Sequence, residues 1–182
     1  KVFHHFIDKA GHIFRLPECP CRKFLGSKYR VDIGCIHMGD DTLKIPHPEV
    51  RGKFISAEES KEVLSMAIED GLIPLLGRAN GESTGFGFEE EGRFLSTCYC
   101  GEDACANALV SKDASSGATL DFRRAPGLSL VVDREKCISC GKCMKTCPYR
   151  GMKWVDEKPF IVDRCLGCGQ CENVCPVGAI SF

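Results

Sequence analysis

Four cysteines at one spacing occur twice in this chain, the second set 28 residues after the first. Cys137, Cys140, Cys143 and Cys147 run into Pro148, and Cys165, Cys168, Cys171 and Cys175 run into Pro176. Both read C-x2-C-x2-C-x3-C-P, and Gly141 recurs as Gly169 at the same offset, as an internal duplication would leave them. A [4Fe-4S] cube needs four thiolates converging on one small volume, and three cysteines spaced by two residues can wrap one corner of it within a tight loop. The fourth thiolate must come from elsewhere. An even total of 14 cysteines could instead staple a secreted chain. However, C-x2-C-x2-C is poor geometry for disulfides. The motif therefore predicts iron-sulfur chemistry and thiols kept reduced, in a cytoplasmic setting.

From about residue 130 to residue 182 the chain resembles a bacterial-type two-cluster ferredoxin. That resemblance implies two [4Fe-4S] clusters with crossed ligation, one on Cys137, Cys140, Cys143 and Cys175 and the other on Cys165, Cys168, Cys171 and Cys147. It implies a domain over 130–182 with a ββαββαβ-like, pseudo-two-fold order. Leu130-Val131-Val132 and Ala179 to Phe182 are expected to pair as terminal strands. Met152 to Val155 and Phe160 to Val162 supply a middle hairpin, and each motif runs into a short helix around its third and fourth cysteines.

Ahead of this module, residues 1–125 predict a mixed α/β, Cys-rich domain, so the fold class is α+β. The turn pair Pro126-Gly127 in the stretch 122–129 marks the boundary. Two prolines flanking Cys19 disfavour helix and place Cys19 and Cys21 on a loop. Val31, Ile33 and Cys35 alternate like a short strand that Gly39 and Asp40 end. Ser56 with Glu59 forms a capping box, Val63, Leu64, Ala67 and Ile68 recur at helical spacing, and Gly71 stands where a helix-ending glycine belongs. Ile73 to Leu76 reads as a strand that Pro74 confines to a sheet edge, and Gly77 to Gly87 as a loop. Phe94 to Cys100 looks extended and Ala104 to Lys112 helical. Phe3, Phe6, Phe14 and Met38 read as core.

Six cysteines lie outside the duplicated motif: Cys19, Cys21, Cys35, Cys98, Cys100 and Cys105. Two C-x-C pairs nearly eighty residues apart, with single cysteines near each, are material for a metal site built from two loops. A third iron-sulfur cluster is favoured over a zinc site of four thiolates, while buried thiols or a redox disulfide are the alternatives without metal. The candidate ligands are Cys19, Cys21 and Cys35 with one or both of Cys98 and Cys100, and Cys105 is spare. This half is similar to the N-terminal region of uncharacterised iron-sulfur dicluster proteins of anaerobic bacteria and archaea. The shared features are Cys19-Pro20-Cys21-Arg22, Cys35-Ile36-His37-Met38-Gly39, Ile55-Ser56-Ala57-Glu58-Glu59 and Cys98-Tyr99-Cys100. It departs from that pattern where Gly101 follows Cys100. The five histidines lack ligand spacing and read as structural, His37 being the one nearest a candidate cysteine.

Net charge of −1 offers no basic surface for nucleic acid. No apolar run approaches the roughly 20 residues that cross a bilayer, and no targeting segment is visible. Residues 131–182 carry eight basic and six acidic side chains. That weakly positive module suits a built-in subunit better than an acidic shuttle steered to basic partners. The glycines of 77–87 match no phosphate-binding motif, and no catalytic residue stands out. The expected function is relaying single electrons to or from a larger redox enzyme, with redox proteins or enzyme subunits as partners in a hetero-oligomeric complex, without independent catalysis. The alternative is an enzyme or activator whose N-terminal metal site acts on a substrate, corrinoid or flavin. A redox-sensing regulator is the third possibility, disfavoured because no basic DNA-reading helix is recognisable.

Overall fold

The computed structural model describes residues 2–77, 82–101, 103–104, 129–147 and 149–182. The chain divides into two compact units, 1–101 and 102–182. Apart from Ser129, the expected boundary at 122–129 lies outside the described residues, as do the helix expected after Ala104 and Cys105.

In the first unit, β1 (Ile13–Arg15), β2 (Ile36–Met38), β3 (Lys53–Phe54), β4 (Ile73–Gly77) and β5 (Leu95–Cys100) form an antiparallel sheet in the order β3-β1-β2-β5-β4. Pro74 lies on an edge strand, the position where its missing N–H breaks no ladder. Helix α1 (Val2–Lys9) packs on the 13-residue helix Ala57–Glu69. Ser56 caps that helix in the expected box: its side chain accepts from the Glu59 amide at 3.1 Å, and Glu59 Oε2 accepts from the Ser56 amide at 3.0 Å. Val63, Leu64 and Ala67 bury its apolar face against Ile7, Ile13, Ile36, Met38, Leu72 and Tyr99. Phe14 and Met38 are buried as expected, but Phe6 is 41% exposed because α1 turns it outward.

Three local readings change. Cys19 and Cys21 are not in an irregular loop: Cys19 caps α2 (Pro20–Leu25), its Sγ accepting from the Arg22 amide at 3.5 Å, and Cys21 lies within that helix. Pro20 occupies the first helical position, where its fixed φ helps and its missing N–H costs nothing. The strand expected over Val31 to Cys35 begins only at Ile36, because the carbonyls of Arg30 and Ile33 are taken by the Arg22 side chain instead of a ladder. Within the expected loop 77–87, Glu82–Phe86 is a short helix, and residues 78–81 lie outside the described set. Short helices also occur at Pro48–Arg51 and, in 3-10 form, at Asp40–Lys44.

The second unit runs β6 (Val131–Val132), a helix at Lys142–Thr146, β7 (Met152–Val155), β8 (Lys158–Ile161), a helix at Gln170–Asn173 and β9 (Ile180–Ser181). Among the described residues the order is therefore βαββαβ, where ββαββαβ was expected. The terminal strands pair antiparallel, Val131 with Ser181 and Val132 with Ile180. Strands β7 and β8 pair through a two-residue turn in which Asp156 and Glu157 have φ of 47° and 59°, the left-handed geometry that matches hairpin twist. The two helices pack on each other, and Leu130, Cys143, Met152, Cys165, Cys171 and Ile180 form the small core.

Candidate metal centres

In the second unit both motifs are folded alike. Asp133 opens the first, its Oδ1 accepting from the amides of Glu135 and Lys136 at 3.0 and 3.1 Å, and the Cys137 amide returns to the Asp133 carbonyl at 3.1 Å. Gly141, at φ 72°, starts the helix that carries Cys143; Gly169, at φ 80°, starts the one that carries Cys171. A positive φ at this junction lets the loop double back on itself, which a side chain would oppose. The last cysteine of each motif receives an amide from four residues on: Gly151 donates to Cys147 Sγ at 3.1 Å and Ala179 to Cys175 Sγ at 3.2 Å. Gly167 donates to Cys165 Sγ at 3.4 Å. Such N–H groups lower the charge density on a thiolate and so help set a cluster's potential.

The fourth cysteines cross over. A cavity in this unit is lined by Cys137, Cys140 and Cys143 together with Cys175, and closed by Pro159, Val177, Ala179 and Ile180. Around the other motif, burial pushes the Cys168 thiol up to about 11 and Cys171 up to about 12, and the nearby Cys147 and Cys165 raise both further. Burial likewise raises Cys143, opposed by the Met144 amide and reinforced by Cys140 and Cys137. Buried thiols crowded in this way hold their protons until a cation replaces them. Gly151 leaves room for this packing, since a Cβ there would stand 2.8 Å from Cys165 Cα. Four thiols around a mostly apolar space and a glycine cradle fit a cube with one iron per cysteine.

In the first unit the thiols form a contact series. Cys19 is in hydrogen-bond contact with Cys21 and with Cys35, and Cys35 also with Cys98. Those two contacts, with help from the Arg22 amide and guanidinium, outweigh burial and hold Cys19 far below the usual thiol range. Cys35 is pushed well up by Cys19, by Cys98 and by burial. Cys100 is buried at the end of β5 on the same face as Cys98. His37 takes no place in this series: its Nδ1 is 2.8 Å from Ser96 Oγ and its ring stacks on Phe94. Desolvation lowers its pKa to about 4.

Among the described residues no three His, Cys, Asp or Glu side chains surround a single ion position. The same holds for the duplicated motif, where thiolates belong at the corners of a cube rather than around one ion. No two cysteines among the described residues are joined as a disulfide. No helix among them is long and apolar enough to cross a membrane.

Sequence reading named Arg22 only within Cys19-Pro20-Cys21-Arg22 and gave it no role, and it passed over Gly151 and Trp154. Arg22 had one visible signal, an arginine directly after a C-P-C turn. The other two act through contacts between segments that are distant in the chain.

Residues 130–182 match the family model described as a 4Fe-4S dicluster domain. An uncharacterized ferredoxin of Methanocaldococcus jannaschii is 42% identical over 31 residues, which is 17% of this chain and 40% of that protein. The chain thus spans less than half the length of the curated relative it matches. Residues 130–182 are a ferredoxin-type 4Fe-4S dicluster domain.

Proposed function

We propose that this chain relays single electrons to or from a larger redox enzyme. Two [4Fe-4S] clusters would be held by Cys137, Cys140, Cys143 and Cys175 and by Cys165, Cys168, Cys171 and Cys147. The observation that carries this reading is the crossing of Cys175 into the cavity of the first motif. Cys147 beside Cys168 and Cys171 is its counterpart. Bound cubes supply one-electron chemistry with little ligand movement. The chain's own part is to place the two thiolate sets side by side, since each motif contributes to both. Pro159, Val177 and Ile180 line the first set with apolar surface, and the amides of Gly151, Gly167 and Ala179 bond to sulfur.

The first unit, with its separate sheet and core, would serve as the docking domain for the partner enzyme. A reducing compartment suits a chain whose thiols must stay free. The test is iron and sulfide per chain on protein purified without oxygen, beside the paramagnetic resonance spectrum of the reduced form. About eight irons in the second unit and two magnetically interacting centres are expected. Protein with no redox-active iron would end this reading.

A further inference from the structure

The geometry points to a further centre in the first unit: a [4Fe-4S] cluster held by the four thiolates of Cys19, Cys21, Cys35 and Cys98, with the buried Arg22 guanidinium as its counter-charge. The ligands come from three segments that the fold ties together. Cys19 and Cys21 stand at the start of α2, Cys35 just before β2, and Cys98 in β5. Pairing of Ile36 with Thr97 places Cys35 beside Cys98. The Cys19 amide bonds to the Val31 carbonyl at 2.7 Å and the Leu16 amide to the Cys35 carbonyl at 2.9 Å, which draws the third segment in. The four thiols then neighbour one another in series, Cys21 to Cys19 to Cys35 to Cys98. Four thiolates complete a cube, so Cys100 is not needed.

Arg22 supplies an independent observation. It is 1% exposed, and its guanidinium donates to the carbonyls of Arg30, Ile33 and Tyr99. Two of those carbonyls flank ligands: Ile33 precedes Cys35 by two residues and Tyr99 follows Cys98. Carbonyls satisfy the donors but leave the charge, and among the described residues no carboxylate pairs with it. A buried cation without an anion is costly. Four thiolates around a [4Fe-4S] core carry roughly two net negative charges, more than enough to offset the one positive charge of Arg22.

The experiment uses the full chain purified without oxygen, with iron, sulfide and zinc counted in wild type, Cys98→Ser, Cys100→Ser, Arg22→Gln and Arg22→Lys. Cys98→Ser is expected to lose about four irons with their sulfide while the resonance signals of the dicluster domain persist. Loss of about one zinc instead would overturn the cube. Cys100→Ser is expected to keep it. Under excess chelator, this fraction should leave Arg22→Gln several-fold faster than wild type. Arg22→Lys, which retains the charge but loses the planar fork, should fall between. Wild type with no metal beyond the dicluster complement, or Cys98→Ser with all of it, would overturn the site without touching the electron-transfer reading. Equal release from the two Arg22 variants would overturn the counter-charge and leave Arg22 as a tie between carbonyls.

Discussion

The Trp154 ring lies over Gly141: a Cβ built on that glycine would stand 3.4 Å from the indole. At the equivalent place 28 residues on, the Phe182 ring stands 3.2 Å from a Cβ built on Gly169. Each cysteine loop thus carries an aromatic lid at its left-handed glycine. Both lids are partly solvent-exposed.

Trp154 is the single tryptophan of the chain, so its emission reports on the first motif. We expect it to be quenched by energy transfer in the cluster-loaded protein and to rise as the clusters are chelated away. Trp154→Ala should lose cluster absorbance in air several-fold faster than wild type, because the apolar shell around a metal site controls solvent access. Unchanged decay would mean the ring shields nothing.

The proposed crossed ligation predicts a specific non-additivity. Cys175→Ala and Cys140→Ala should each remove about four irons, and the double variant should remove no more than either, since both serve the same cube. Cys175→Ala combined with Cys168→Ala should empty both sites. Iron counts beside resonance spectra decide it; equal losses in the two double variants would refute the assignment.

Gly151→Ala should be among the most damaging small changes in the second unit. The added methyl would meet Cys165 Cα at 2.8 Å, a backbone atom that cannot step aside. Overpacking of this kind costs about 1–3 kcal/mol, in a module of about fifty residues that depends on its metal staples. Reduced iron and sulfide content after anaerobic purification is the expected result.

Asp41 supplies a pH dependence in the first unit. Burial opposes its ionisation, but Lys44 at 3.0 Å and the amides of Arg93 and Glu91 at 2.9 and 2.7 Å outweigh burial and hold its carboxyl below the usual range. A carboxyl depressed in the folded state adds stability that is complete above its unfolded pKa of about 3.9. That stability is lost as pH falls below this value through the folded pKa. Protection of the Glu91 and Arg93 amides against hydrogen exchange should be high at neutral pH and fall on acidification through that window. Asp41→Asn should show the weakened protection already at neutral pH.

Local rules carried much of the reading. The two cysteine repeats, the Ser56 and Glu59 capping box, the edge position forced by Pro74 and the hairpin between β7 and β8 each depend on residues a few positions apart. At that range covalent geometry limits the choices. Where two local rules competed the outcome was less legible. Pro20 following Cys19 suggested a loop, yet the same proline is a good first helical residue, and the chain used it so.

The sequence by itself determined that eight cysteines at two matched spacings belong to iron-sulfur chemistry, because ligand spacing within a tight loop is a property of the local chain. Tertiary structure decided which distant thiols meet. Cys35 reaches Cys98 only through the pairing of β2 with β5, and Cys175 reaches the first motif only when the two halves of the module fold together. It also turned Arg22 inward to take the carbonyls that would have extended a strand from Val31. Such choices depend on contacts between segments up to 77 residues apart, and their energies exist only once the packed core has brought those segments together.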